Sequence, residues 1–150
     1  MNAIPWLSLI FRCYLGGFFL YAAIPKIMEP LAFATSIDHY HLLPSFVIHA
    51  YALVIPWLEL LCGVALLAGL RVRTSALLCG IMLVMFTGAI AWAVSQGLKI
   101  DCGCFGSQGG EEVSWIKVAK NTMMIAGCAF LWKYPASPFS LDGWRKGRKE

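Results

Sequence analysis

Four long apolar stretches dominate the hydrophobic pattern of the chain and predict membrane-spanning helices. They cover residues 4–28, 46–70, 74–98 and 115–134. Each is long enough to supply the roughly 20 mostly apolar residues that a helix needs to cross a bilayer. The segment 30–44 is too short and too polar to cross, so we expect a loop or a short interfacial helix there. The pattern therefore predicts a single all-α membrane domain, a four-helix bundle with a basic tail at 135–150.

Composition supports a membrane protein. Charged residues make up 13% of the chain and hydrophobic residues 59%, whereas soluble domains carry about 25% charged residues. This excludes an ordinary soluble enzyme, a disordered chain and a nucleic-acid-binding module. A cleaved signal peptide would have a basic segment ahead of its apolar core. Here Arg12 lies inside the first apolar run, so we expect that run to remain in the mature protein.

The charges outside the apolar stretches predict an orientation. The two loops 29–45 and 99–114 hold five acidic residues and one lysine, Lys99. The Arg71–Arg73 turn, Lys133 and the basic tail fall on the opposite side of a four-span topology. Basic residues mark the cytoplasmic side of membrane proteins. We therefore expect a bacterial inner-membrane protein with both termini in the cytoplasm and the two acidic loops outside it.

The six cysteines fall into two groups. Cys13, Cys62, Cys79 and Cys128 lie within predicted spans, where a free cysteine behaves as a small apolar side chain. We expect these four to pack in the core. Cys102 and Cys104 instead lie in an outer loop, in the segment Asp101-Cys102-Gly103-Cys104-Phe105-Gly106.

The Cys102-Gly103-Cys104 spacing favours redox chemistry over a structural disulfide. Gly103 lets the backbone fold tightly between the two sulfurs, and so small a ring gains little stability from loop closure. Strained disulfides exchange readily with other thiols. Three alternatives stay open: each cysteine pairs structurally elsewhere, the turn merely ends a helix, or both cysteines join His39 and His41 of the other outer loop in a zinc or copper site.

Two charged residues lie deep inside predicted spans. Arg12 and Glu59 fall at similar depth when counted from the cytoplasmic face, and charges at such depth usually face the bundle interior and pair. We therefore expect an Arg12–Glu59 ion pair, serving as a buried strut, a proton path or a contact for a bound head group. Lys26 ends the first span, where it either extends to the interface or faces the cysteine loop and favours a thiolate there.

Several of these residues together resemble a known family. The opening of the DoxX-like superfamily is similar to this chain at Arg12, Gly16-Gly17, Lys26, Phe33, Ile37 and the Tyr40–Pro44 segment. Pro56, Glu59 and Gly63 are similar to its second helix, and the Cys-Gly-Cys-Phe-Gly segment followed by Asn121 resembles its MauE branch. The resemblance extends over nearly the whole chain to Tyr134.

The resemblance implies a thiol–disulfide redox protein with Cys102 and Cys104 as the catalytic pair. Arg12, Lys26, Glu59 and Asp101 are its supporting polar positions. MauE proteins are associated with maturation of the disulfide-rich small subunit of methylamine dehydrogenase, beside a thioredoxin-like partner. DoxX relatives are linked to sulfur oxidation with quinone, for which Trp92 and Phe105 are candidate ring contacts. Three alternatives remain: a DoxX-like subunit of sulfur-compound oxidation, a non-enzymatic scaffold or metallochaperone, and a small transporter lined by Arg12 and Glu59.

Overall fold

Five helices make up the fold in the part of the chain that the structure describes, residues 3–100, 112–136, 138–141 and 144 of a computed structural model. They are α1 (Ala3–Met28), α2 (Pro30–Asp38), α3 (Ser45–Ala68), α4 (Val72–Ser95) and α5 (Trp115–Lys133). The all-α prediction is confirmed. The sequence predicted either a loop or a short interfacial helix for the polar segment between the first two long helices, and the structure has a short helix there, α2.

Three of these helices, α1, α3 and α4, are long and apolar enough to cross a membrane. α5 has 19 residues, which corresponds to about 28 Å of helix and approaches the thickness of a bilayer core. Lys117 and Lys120 near its start and Lys133 at its end confine its uncharged stretch to residues 121–132. The fourth span therefore stays a prediction.

A close contact between helix backbones joins α1 and α3 through two glycines. A Cβ added to Gly16 would lie 3.0 Å from the carbonyl oxygen of Gly63, and a Cβ added to Gly63 would lie 3.0 Å from the carbonyl oxygen of Gly16. Small residues let helix backbones approach this closely in membranes. Arg12 meets Gly69 in the same pair of helices, which shows that α1 and α3 run antiparallel.

The buried residues of α1 form one stripe along the helix at intervals of three or four. They are Ser8, Arg12, Leu15, Gly16, Phe19, Ala22, Ala23 and Lys26. Three of the four membrane cysteines, Cys62, Cys79 and Cys128, pack in the bundle core as predicted. The prediction for Cys13 is wrong, because Cys13 is exposed. It follows Arg12 directly and so lies about 100° around the helix from the buried stripe.

Candidate functional site in the helix bundle

The most strongly polar point in the described bundle is an ion pair between α1 and α3. Lys26 Nζ donates hydrogen bonds to Glu59 Oε1 at 2.9 Å and to Oε2 at 3.0 Å. Only 2% of the Lys26 side chain and 6% of the Glu59 side chain are exposed. Taking two charges out of water is costly, and it is tolerated where they satisfy each other as closely as this.

Helix geometry explains why these two side chains meet. Gly16 faces Gly63, so Glu59 lies level with Leu20 of α1 and Lys26 is six residues, or about 9 Å, further along. Side chains on a helix lean toward its N-terminus. Because α1 and α3 are antiparallel, Lys26 leans back along α1 while Glu59 leans forward to meet it.

Two aromatic rings cover the ammonium group. Lys26 Nζ lies 4.9 Å from the ring centroid of Phe33 in α2 and 4.9 Å from that of Phe86 in α4. An ammonium group is attracted to the face of an aromatic ring, more strongly when both are out of water. Phe33 is fully buried and packs with Ile48 and Ala52 of α3. The short helix α2 therefore closes one end of the bundle above the ion pair.

A small cavity of about 30 Å³ adjoins the ion pair at the centre of the bundle. Lys26, Glu59 and Asn121 supply its polar wall, and its apolar wall consists of Phe18, Phe19, Ala22, Met82, Leu83 and Phe86. This volume suffices for a molecule the size of water. The Asn121 side chain makes no hydrogen bond with any other residue that the structure describes. Its amide is therefore available, together with the ion pair, to a small polar occupant.

The predicted Arg12–Glu59 pair is wrong. Arg12 Nη2 instead donates a hydrogen bond to the carbonyl oxygen of Phe139 at 3.1 Å, and its Nη1 lies against Gly69. The prediction compared the depths of the two residues along their own helices and did not include the offset between α1 and α3. With Gly16 facing Gly63, Arg12 is eight residues, or about 12 Å, from the level of Glu59. Both side chains also lean away from each other.

Of the two predicted positions of Lys26, the one at the membrane interface is wrong, and the one facing the cysteine loop involves residues outside those that the structure describes. A lysine that reaches the membrane interface exposes its ammonium group, whereas Lys26 is 2% exposed and bonded to Glu59. The same bond directs the ammonium group into the bundle. The inward stripe of α1 gives the reason, because Lys26 follows Arg12 by 14 residues and so lies on the same face.

The Cys-Gly-Cys segment lies outside the described residues, as do Asp101 and Phe105. The structure does describe the two chain segments that flank it. The N–H of Val113 donates a hydrogen bond of 3.0 Å to the carbonyl of Ile100. Ile100, which follows α4, therefore lies beside Val113, which precedes α5.

The remaining predicted positions contact neither the ion pair nor the cavity. Trp92 is 38% exposed on α4, and His39 and His41 are both exposed beside α2. Within residues 3–100, 112–136, 138–141 and 144, no group of three His, Cys, Asp or Glu side chains is placed to hold a metal ion. The metal alternative also requires Cys102 and Cys104, so it is not tested by these residues.

The aromatic cover of the site was not predicted from the sequence. The sequence singled out Phe33 and Asn121 only as residues shared with the family that the chain resembles, and it did not single out Phe86. A signal for Phe86 exists, because it follows Met82 by four residues and so shares a helix face with a buried residue.

Comparison with known proteins gives one consistent match. The family model described as "Methylamine utilisation protein MauE" matches residues 4–134. The MauE protein of Methylorubrum extorquens is 33% identical over 136 residues, which cover 89% of this chain and 73% of the relative. The Methylophilus methylotrophus protein is 42% identical over 85 residues, covering 55% and 44%. The Paracoccus denitrificans protein is 29% identical over 123 residues, covering 81% and 66%. No solved structure matches.

Proposed function

The chain belongs to the MauE family of methylamine utilisation proteins, and on that premise we propose that it is a membrane thiol–disulfide redox protein. Its reactive pair is Cys102 and Cys104. The observation that carries the proposal is the extent of the family match, which spans residues 4–134 and so includes the Cys-Gly-Cys segment. The proposed substrate is a disulfide-rich extracytoplasmic protein, the methylamine dehydrogenase small subunit, reached directly or through a thioredoxin-like partner.

The proposed reaction is a thiol–disulfide exchange in two steps. A thiolate of the partner attacks the Cys102–Cys104 disulfide, which forms a mixed disulfide and releases one cysteine of the pair as a thiolate. A second thiolate of the partner then attacks the mixed disulfide. The partner leaves with a disulfide, and the Cys102–Cys104 pair has gained two electrons and becomes a dithiol once protonated.

We propose that a partner protein reaches this pair at one end of the bundle. Ile100 and Val113, the described residues on either side of the segment that carries the pair, are hydrogen-bonded at the α4–α5 end. α2 and the exposed His39 and His41 beside it belong to the segment 29–45, the other loop predicted to lie outside the cytoplasm. A partner protein requires such access, because exchange proceeds by direct contact of sulfur atoms.

Quinone is the electron acceptor that the family resemblance implies for restoring the disulfide. The cavity beside Lys26 and Glu59 has a volume of about 30 Å³, which fits a water-sized molecule and is too small for a quinone ring. Trp92 is partly exposed on the outer surface of α4. The cavity beside the ion pair therefore does not accommodate a quinone ring, and no step of the proposed exchange passes through a quinone.

The proposed orientation is that of an inner-membrane protein with cytoplasmic termini and the cysteine loop outside. It follows from the excess of basic residues at the α3–α4 turn and the C-terminal tail. A membrane-impermeant maleimide added to intact spheroplasts tests it. After the pair has been reduced, labelling of Cys102 and Cys104 is expected without permeabilisation, and labelling that requires permeabilised membranes would reverse the orientation.

Thiol trapping tests the redox proposal itself. In cells that express the partner genes, the single thiol of Cys102 in Cys104→Ser should attack the disulfide of the oxidised partner, which is the reverse of the second step. The mixed disulfide should accumulate because Cys104 is not there to displace the partner, and its band should disappear on reduction. Cys13→Ser is the matched control, because Cys13 is exposed on α1 but lies outside the proposed pair. Its trapping pattern should equal that of the wild type. A pair that stays reduced in the wild type, with no mixed disulfide in Cys104→Ser, would overturn the proposal.

A further inference from the structure

A groove runs along the outer surface of the bundle between α4 and α5. Its volume is about 410 Å³. The residues that line it are apolar or small: Ala76, Leu77, Gly80, Ile81, Val84 and Met85 from α4, and Ile125, Cys128, Ala129 and Trp132 from α5. Four of the α4 residues, Leu77, Ile81, Val84 and Met85, are about half exposed. The groove therefore faces the lipid.

One end of the groove carries a positive charge. The guanidinium group of Arg73 stacks over the ring of Trp132, with its central carbon 4.8 Å from the ring centroid. Within the described part of the chain, no carboxylate lies within ion-pair distance of Arg73. Arg71 precedes it in the turn, and Lys133 follows Trp132. This end therefore presents several cations and lacks an acidic partner among the described residues.

The length of the groove corresponds to half of a bilayer. The α4 residues that line it run from Ala76 to Met85, a rise of about 14 Å, whereas a bilayer core is about 30 Å thick. A transmembrane helix from another protein would cross the whole core and bury only half of its length here. One acyl chain of a single leaflet matches the groove in both length and chemistry.

We propose that this groove binds one acyl chain of an anionic phospholipid, with Arg73 contacting the phosphate of its head group. Trp132 orients Arg73 by stacking, so the guanidinium edges remain available for the phosphate oxygens. Gly80 forms part of the groove floor: a Cβ there would lie 3.4 Å from Cys128 Cβ. A larger side chain at Gly80 would extend into the space that the acyl chain occupies.

Native mass spectrometry of the purified full-length protein with equimolar phosphatidylglycerol and phosphatidylcholine tests this assignment. The wild type should retain phosphatidylglycerol preferentially. Arg73→Gln should lower that retention about fivefold, the effect expected for the loss of one cation near an anionic lipid. Lys120→Gln removes one positive charge from the opposite end of α5 and should retain phosphatidylglycerol as the wild type does.

A glycine pair on α4 tests the groove independently of charge. Gly80→Leu should lose the bound phosphatidylglycerol, whereas Gly88→Leu should not, because a Cβ at Gly88 meets no atom within 4 Å and Gly88 does not line the groove. Circular dichroism establishes that both variants are folded. Equal retention of the two lipids by the wild type would overturn the proposal. So would a crosslink from the groove cysteine of Ile81→Cys to a second copy of the chain or to a co-purified polypeptide.

Discussion

Two buried cations on one face of α1 are accommodated in different ways. Lys26 is paired with the carboxylate of Glu59 and covered by two aromatic rings. Arg12 donates to a backbone carbonyl of the C-terminal segment and lies against Gly69. Both are 2% exposed. Each buried charge thus has a polar partner. The position of the charged residue along its helix does not by itself identify that partner.

The difference has a functional side. The Lys26–Glu59 pair faces a cavity that also contains Asn121, so it is able to interact with a small polar molecule. Arg12 binds residues near the chain terminus to the opposite end of the bundle and thereby stabilises their position. We expect changes at Lys26 or Glu59 to affect the whole bundle and changes at Arg12 to act mainly on residues 138–141.

The largest effect is expected from Glu59→Leu, which leaves the Lys26 charge buried without its carboxylate. Removing one partner of a buried ion pair costs about 3–5 kcal/mol of unfolding free energy. Detergent-induced unfolding followed by circular dichroism measures this loss. In the double variant Lys26→Met with Glu59→Leu, most of the stability should return. A Glu59→Leu variant as stable as the wild type would contradict a buried Lys26–Glu59 ion pair.

Arg12→Leu should lower stability by about 1.5–3 kcal/mol, the range for hydrogen bonds made by charged groups. Its specific consequence is release of the C-terminal segment, because Arg12 Nη2 bonds to Phe139 O. A cysteine introduced by Ser140→Cys should then react faster with maleimide than it does when Arg12 is retained. If Glu59→Leu accelerated that reaction equally, the two ends of the bundle would not be independent.

Gly63→Ala should destabilise the protein by about 1–3 kcal/mol, the usual cost of overpacking, since its Cβ would lie 3.0 Å from Gly16 O. Gly17→Ala is the matched control on α1, where a Cβ meets no atom within 4 Å. There, the higher helix propensity of alanine should maintain or slightly raise stability. Equal responses of the two variants would contradict the register that separates Arg12 from Glu59.

Ser8→Ala should have the smallest effect, a loss of about 1 kcal/mol for one neutral hydrogen bond. Ser8 Oγ donates to the carbonyl oxygen of Tyr134 at 3.0 Å and helps to fix the end of α5. The same unfolding measurement detects it. A loss as large as that of Arg12→Leu would mean that Ser8 stabilises this end of the bundle as strongly as Arg12 does.

Sequence patterns predicted the helices well because length and apolarity are local properties. The predicted helix 46–70 is observed as Ser45–Ala68, and the predicted helix 74–98 is observed as Val72–Ser95. Pairing is not local: it depends on the Gly16–Gly63 register and on the direction in which side chains lean. For the same reason, counting positions along α1 placed Cys13 in the core, although one residue's shift around the helix exposes it.

Double-mutant cycles test most directly which cation Glu59 binds. One cycle combines Lys26→Met with Glu59→Leu, and the other combines Arg12→Leu with Glu59→Leu, with unfolding free energies measured in the same detergent. We predict a coupling of at least about 3 kcal/mol between Lys26 and Glu59, because each single change leaves a charge buried and the double change does not. Between Arg12 and Glu59 we predict less than about 0.5 kcal/mol. A strong coupling for Arg12 with a negligible one for Lys26 would contradict the Lys26–Glu59 site.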